Sequence, residues 1–227
     1  SAAVSTLVPA RWLTRVVPRR PMLAVPVAGM AGAVLPGCEC SSVPVTGRLV
    51  SRGVPQAAAL TFLLAAPAIN PVVVVSTAVA FPGRPGMAVA RFVASLATAT
   101  IVGWLWVRFA RPDLLEQRLA AAAEHHSHRH AFADTAIADF LQAGGFLVLG
   151  AALVATLHVA APPDLFDRFG GDGLLAVLIL AGLAVVLSVC SEADAFVAAG
   201  LTQFSLTARL AFLVVGPMVD LKLIAMQ

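Results

Sequence analysis

Charge is scarce in this sequence. Only 12% of its 227 residues are Asp, Glu, Lys or Arg, against roughly 25% in an ordinary soluble domain. At the same time 59% are hydrophobic and the mean hydropathy is +0.91. So few polar residues cannot coat one water-soluble core, which excludes a soluble globular reading and makes lipid the solvent for much of the surface. Cysteine is scarce as well. Cys38, Cys40 and Cys190 lie in apolar sequence, too few for a disulfide framework, and are read as free thiols. Lysine is almost missing, with Lys222 standing against 14 Arg, a composition that points to high-GC bacterial coding. A Gly-rich phosphate loop, a His-Glu-x-x-His and a Gly-x-Ser-x-Gly are all absent, so no enzyme, cofactor or catalytic residue is read here. The net charge of +3 and pI near 9.2 are no polyanion signal, because the Arg residues fall mainly in short gaps between apolar blocks. That is the positive-inside pattern of a membrane protein, with the bilayer and not nucleic acid as partner. Ser1 leads straight into an Arg-bearing stretch with neither signal-peptide pattern nor initiating Met, and the chain reads as a piece of a longer protein.

What is present is a series of apolar runs at 21–37, 57–81, 87–110, 140–161, 174–190 and 206–226. About 20 helical residues cross ~30 Å of hydrocarbon, and the runs lack the alternation of barrel strands. The expected fold is therefore all-α, a polytopic transmembrane helical bundle. Trp104 and Trp106 followed by Arg108 and Arg111 read as an interfacial belt with a charged exit. Residues 111–138 form a polar, partly helical loop carrying His125, His126, His128 and His130. Four His can bind a divalent metal, but their spacing matches no closed site and no Cys is near, so a solvated loop is preferred and no metal site is assigned.

Self-comparison shows an internal repeat at an ungapped offset of 150. Cys40 and Ser41 fall on Cys190 and Ser191; Leu60, Phe62, Leu63 and Pro67 on Leu210, Phe212, Leu213 and Pro217; Asn70 on Asp220. Matches among Ala, Val and Leu are cheap in this composition, whereas Cys, Phe and Pro in one frame are not. The expected organisation is a first transmembrane repeat at 1–110, cut at its N-terminal side, the loop at 111–138, and a second repeat at 139–227, cut at its C-terminal side. Arg11, Arg15, Arg19 and Arg20 lie in a loop whose counterpart holds Asp164, Asp167, Arg168 and Asp172, so the two loops should face opposite sides. That makes the repeat inverted if the Pro-broken stretch 57–81 is a re-entrant hairpin of two half-helices around 67–71. The alternative is one kinked span. Inverted repeats with broken helices at the midplane recur in secondary transporters.

Chemistry concentrates at two places. The stretch Cys38-Glu39-Cys40 puts a carboxylate between two thiols, and Cys190-Ser191-Glu192-Ala193-Asp194 in the second copy again places thiol, hydroxyl and carboxylate together, with the acid displaced along the chain. A carboxylate at membrane depth is costly and is by default a functional residue. Thiolates are soft ligands, so Cys38, Cys40 and Cys190 can hold a thiophilic centre if the repeats pack face to face; small residues at a helix interface are the plainer reading. The second constellation is Pro67 and Asn70 with their counterparts Pro217 and Asp220. Proline removes a backbone donor, and carbonyls freed at membrane depth are tolerated where protein or a water-lined cavity satisfies them, which places these residues at a pathway wall. A structural kink is the alternative. Glu39, Glu192, Asp194 and Asp220 are the groups expected to carry a proton between the two sides.

These residues also carry a resemblance. Cys38-Glu39-Cys40-Ser41-Ser42-Val43-Pro44-Val45, Arg48-Leu49, Gly53-Val54-Pro55 and Phe62 through Pro71, followed by Cys190 through Val197 and Gly216 through Lys222, resemble the ArsP-like predicted permeases over nearly the whole chain. The resemblance implies a multi-pass permease of the bacterial inner membrane, with members that export trivalent organoarsenicals such as methylarsenite. By motif it makes Cys38 and Cys40 arsenic ligands and Cys190 a possible third. Ser41-Ser42 stand where many relatives are expected to have Gly and an apolar residue, which leaves the pocket shape open.

Overall fold

The structure, a computed structural model, describes residues 21–34, 42, 45–47, 49–50, 53–109, 141, 148, 152, 156, 173–187 and 190–219. Among them every regular element is an α-helix: α1 (Pro21–Gly32), α2 (Gln56–Ile69), α3 (Pro71–Ala80), α4 (Gly86–Phe109), α5 (Leu174–Leu187), α6 (Asp194–Gly200) and α7 (Leu206–Val215). Each except the short α6 falls on an apolar run legible in the sequence; the run at 140–161 and the loop at 111–138 lie essentially outside the described residues. Two stretches, Gln56–Ala80 and Gly86–Phe109, are long and apolar enough to cross a membrane. The 24 residues of α4 reach roughly 36 Å at about 1.5 Å per residue, a little more than the hydrocarbon thickness.

Helix α4 is built inside out. Arg91, Ser95, Ala99 and Gly103 recur every fourth residue and are buried, whereas Val89, Val93, Ile101 and Leu105 on the other side are each at least half exposed. Small and polar residues turned inward with large apolar ones turned outward is the arrangement a helix needs when its surroundings are lipid.

The stretch 56–80 breaks at one residue. Pro67 does not interrupt α2, which continues through it to Ile69. Asn70 then takes φ −64° and ψ 157°, and Pro71 opens α3. The cause is local: the ring of Pro71 pushes the residue before it out of the helical region, while a proline fits the first position of the next helix without losing a bond. The break is thus narrower than the 67–71 window read from the sequence, and it leaves Asn70 only 1% exposed.

Packing divides the chain into two units. The first holds α1, α2 and residues 92–109. Here α1 lies against α2 through Ala24, Ala28, Ala58, Phe62 and Ala66, with Leu49 and Val54 beside them. Glycines set the approach: a Cβ at Gly32 would lie 2.8 Å from the backbone nitrogen of Ala66, and one at Gly103 would overlap Oγ1 of Thr61, whose hydroxyl donates to Ala57 O at 2.8 Å. Gly103→Ala is expected to destabilise the protein by about 1–3 kcal/mol through overpacking. Adding Thr61→Ala, which deletes the overlapped atom, should return part of that loss. Thermal midpoints in detergent read the effect, and a wild-type midpoint for Gly103→Ala would contradict the close approach.

The second unit holds residues 72–91 with α5, α6 and α7. Ala176, Leu180, Ala184 and Leu187 of α5 form one core with Ala208, Phe212 and Leu213 of α7, closed by Ala195, Ala198, Leu201 and Phe204 from α6 and its exit and by Phe81 and Met87.

Candidate functional site

Between α5 and α6 the chain makes one tight turn, and that turn carries Cys190, Glu192 and Asp194. Cys190 O accepts from the backbone N–H groups of Ala193 at 2.9 Å and Asp194 at 3.0 Å. This folds Cys190 back over the residues that follow it, and its half-buried thiol donates to Oε2 of Glu192. The two functional groups the sequence singles out are therefore in direct contact. A carboxylate holding a thiol hydrogen is placed to take that proton when the sulfur binds a soft electrophile.

Two residues later the acid is held differently. Asp194 is 2% exposed and Arg91 fully buried, and they meet as a two-pronged pair: Nη1 of Arg91 donates to Oδ1 of Asp194 at 2.9 Å and Nη2 donates to Oδ2 at 2.8 Å. Nη1 also donates to Oγ1 of Thr77 at 2.9 Å, which in turn donates to Val73 O at 2.7 Å. Nη2 donates to Ser191 O at 3.2 Å. Paired hydrogen bonds of this kind match the fork of a guanidinium and offset much of the desolvation of both charges. Nε of Arg91 and the hydroxyl of Ser191 are buried with no partner among the described residues. Gly216 backs the site, since a Cβ there would lie 3.8 Å from Oδ2 of Asp194 and 3.2 Å from Phe212 O.

Of the residues singled out from the sequence, Cys190, Glu192 and Asp194 share this turn, and the buried Pro217 follows Gly216, where a Cβ would come within 3.8 Å of Asp194 Oδ2. Helix α7 ends at Val215, before that proline, and a turn carries the chain past it, with Met218 N donating to Val215 O at 3.0 Å and Val219 N to the same oxygen at 2.9 Å. Asn70 and Pro67 are buried in the first unit. Cys38, Glu39, Cys40, Asp220 and the His125 to His130 cluster lie outside the described residues. Arg91 and Thr77 are what the sequence reading missed. The signal was there in Arg91, a cation inside the apolar run 87–110 and well before Arg108 at its exit, since an ionisable residue in such a run is functional or paired by default.

Comparison with known proteins places this geometry in a family. The family model described as a predicted permease, ArsP_1, matches residues 1–227. The UPF0718 protein YcgR of Bacillus subtilis is 36% identical over 100% of this chain and 80% of its own length. A Streptococcus mutans protein named as a subunit of a two-component membrane permease complex is 31% identical over 86% of this chain and 68% of its own. No solved structure matches. With the family model matching the full chain and a relative 36% identical over all of it, the protein belongs to the ArsP_1 family of predicted permeases.

Proposed function

We propose that this membrane permease is an efflux transporter for trivalent organoarsenicals such as methylarsenite, or a related thiophilic solute, working by alternating access across the bacterial inner membrane with proton exchange as the drive. Cys38 and Cys40 are the proposed ligands, with Cys190 a third thiol on the path and Asn70, Pro67 and Pro217 at its wall. Glu39, Glu192, Asp194 and Asp220 are the proposed proton carriers. The observation that carries the reading is the Cys190–Glu192 contact in the turn that also holds the buried Asp194. It gives the thiol hydrogen an acceptor from which it can pass to the hydroxyl that leaves arsenic as water. The inverted repeat belongs to the same proposal. Helix starts at 56 and 206, offset by 150 as the sequence repeat is, support the repeat. A re-entrant stretch 57–81 rests on the break at Asn70.

A second reading follows from the name of the Streptococcus mutans relative: this chain is one subunit of a two-component permease, with the polar loop at 111–138 as its dock. The two readings share the transport step. It is tested in everted membrane vesicles by methylarsenite uptake under an imposed proton gradient. Glu39→Gln is expected to abolish the gradient-dependent fraction while leaving protein level unchanged, and proton-dependent uptake that survives Glu39→Gln would overturn the coupling.

A further inference from the structure

The second unit holds a cavity the transport proposal does not use. It measures about 500 Å³ and is lined by residues 80–82, Arg84, Ala199, Thr202, Phe204, Ser205, Leu206 and Arg209. Its chemistry is of one sign: two arginines and two hydroxyl residues line it, and no acid does. Each arginine is placed by its backbone. Arg84 ends a tight turn in which its N–H donates to Phe81 O at 3.1 Å, Pro82 takes the second position and Gly83 the third with φ +78°. Pro followed by a left-handed Gly is the signature of a type II turn, and it leaves Arg84 exposed. Arg209 anchors its Nε on Phe204 O at 3.0 Å, and among the described residues no hydrogen bond engages its terminal nitrogens.

Two further features favour an anion. The cavity opens on the first turn of α7, a ten-residue helix capped by Ser205, whose side chain accepts from Ala208 N at 3.3 Å; helix N-termini attract negative charge. The charges of Arg84 and Arg209 also repel one another, which an anion between them would relieve. The turn at 81–85 joins the ends of two apolar stretches long enough to cross a membrane, so the cavity lies where such helices leave the hydrocarbon and where phosphate headgroups are found.

From this we infer that the Arg84–Arg209 cavity is a binding site for a phosphate-bearing anion, either the headgroup of an anionic lipid or a free phosphate.

The test is thermal stability of the purified full chain in neutral detergent, titrated separately with phosphatidylglycerol, phosphatidylcholine and inorganic phosphate. Saturable stabilisation by phosphatidylglycerol but not by phosphatidylcholine or inorganic phosphate assigns a lipid site; stabilisation by inorganic phosphate assigns a soluble anion. In either case Arg84→Gln, which removes an exposed side chain without touching the core, should raise the half-saturating concentration about tenfold. Arg209→Lys, which keeps charge but loses the fork, should raise it less. Stabilisation by none of the three, or stabilisation unchanged in Arg84→Gln with Arg209→Lys, would overturn the assignment.

Discussion

Breaking the Arg91–Asp194 pair from either side is expected to destabilise the protein by about 3–5 kcal/mol, the range for removing one partner of a buried ion pair. Asp194→Asn leaves a guanidinium with no exposure facing an uncharged amide, and Arg91→Met leaves a carboxylate with its two closest donors gone. The double change Arg91→Met with Asp194→Leu should be much milder than the sum, because a desolvated pair can be replaced by apolar volume at little net loss. Thr77→Val, which removes only one acceptor from Nη1, should cost about 1–3 kcal/mol. Unfolding midpoints of the unaltered protein, Arg91→Met, Asp194→Leu and the double variant in one detergent measure the cycle, and strictly additive losses would show that the two side chains do not act as a pair. The same double variant separates structure from transport. If Asp194 carries a proton, a well-folded Arg91→Met with Asp194→Leu protein still fails to couple.

The helices were legible because lipid imposes length and composition on them. The stretches 56–80 and 86–109 are readable from apolar runs alone, and the break at Asn70 follows from Pro71. Local contacts were legible too: Cys190 and Glu192 are two apart, and a turn between helices brings them together. The charge pair was not. Arg91 and Asp194 are separated by 103 positions, and nothing in one sequence says which acid neutralises a cation stranded in an apolar helix. Nor does sequence separate a proline that a helix absorbs, as at Pro67, from one that ends a helix before it, as at Pro71. The Arg84–Arg209 cavity was invisible for the same reason as the charge pair, since its halves come from different parts of the chain and neither looks unusual alone.

The second large effect concerns the thiols. Methylarsenite carries two exchangeable hydroxyls on arsenic, so two thiols can replace both, forming two arsenic–sulfur bonds and releasing two waters. A third thiol has no open position on the same atom. Cys38→Ser together with Cys40→Ser is therefore expected to abolish arsenical resistance, because a serine hydroxyl is a hard donor that does not hold a soft centre. Cys190→Ser should reduce resistance only partly, by removing a hand-over partner and the hydrogen that Glu192 accepts. Complete loss in Cys190→Ser with full activity in the double variant would reverse the order of the proposed ligands.

The central claim, thiol-dependent export, is tested most directly by growth of an arsenic-sensitive bacterial strain expressing the intact gene across a methylarsenite series, with the Cys38→Ser and Cys40→Ser double variant at matched protein level. The account predicts resistance from the unaltered protein that disappears in the double variant. Absence of resistance from the unaltered protein, or resistance that persists without the two thiols, would contradict it.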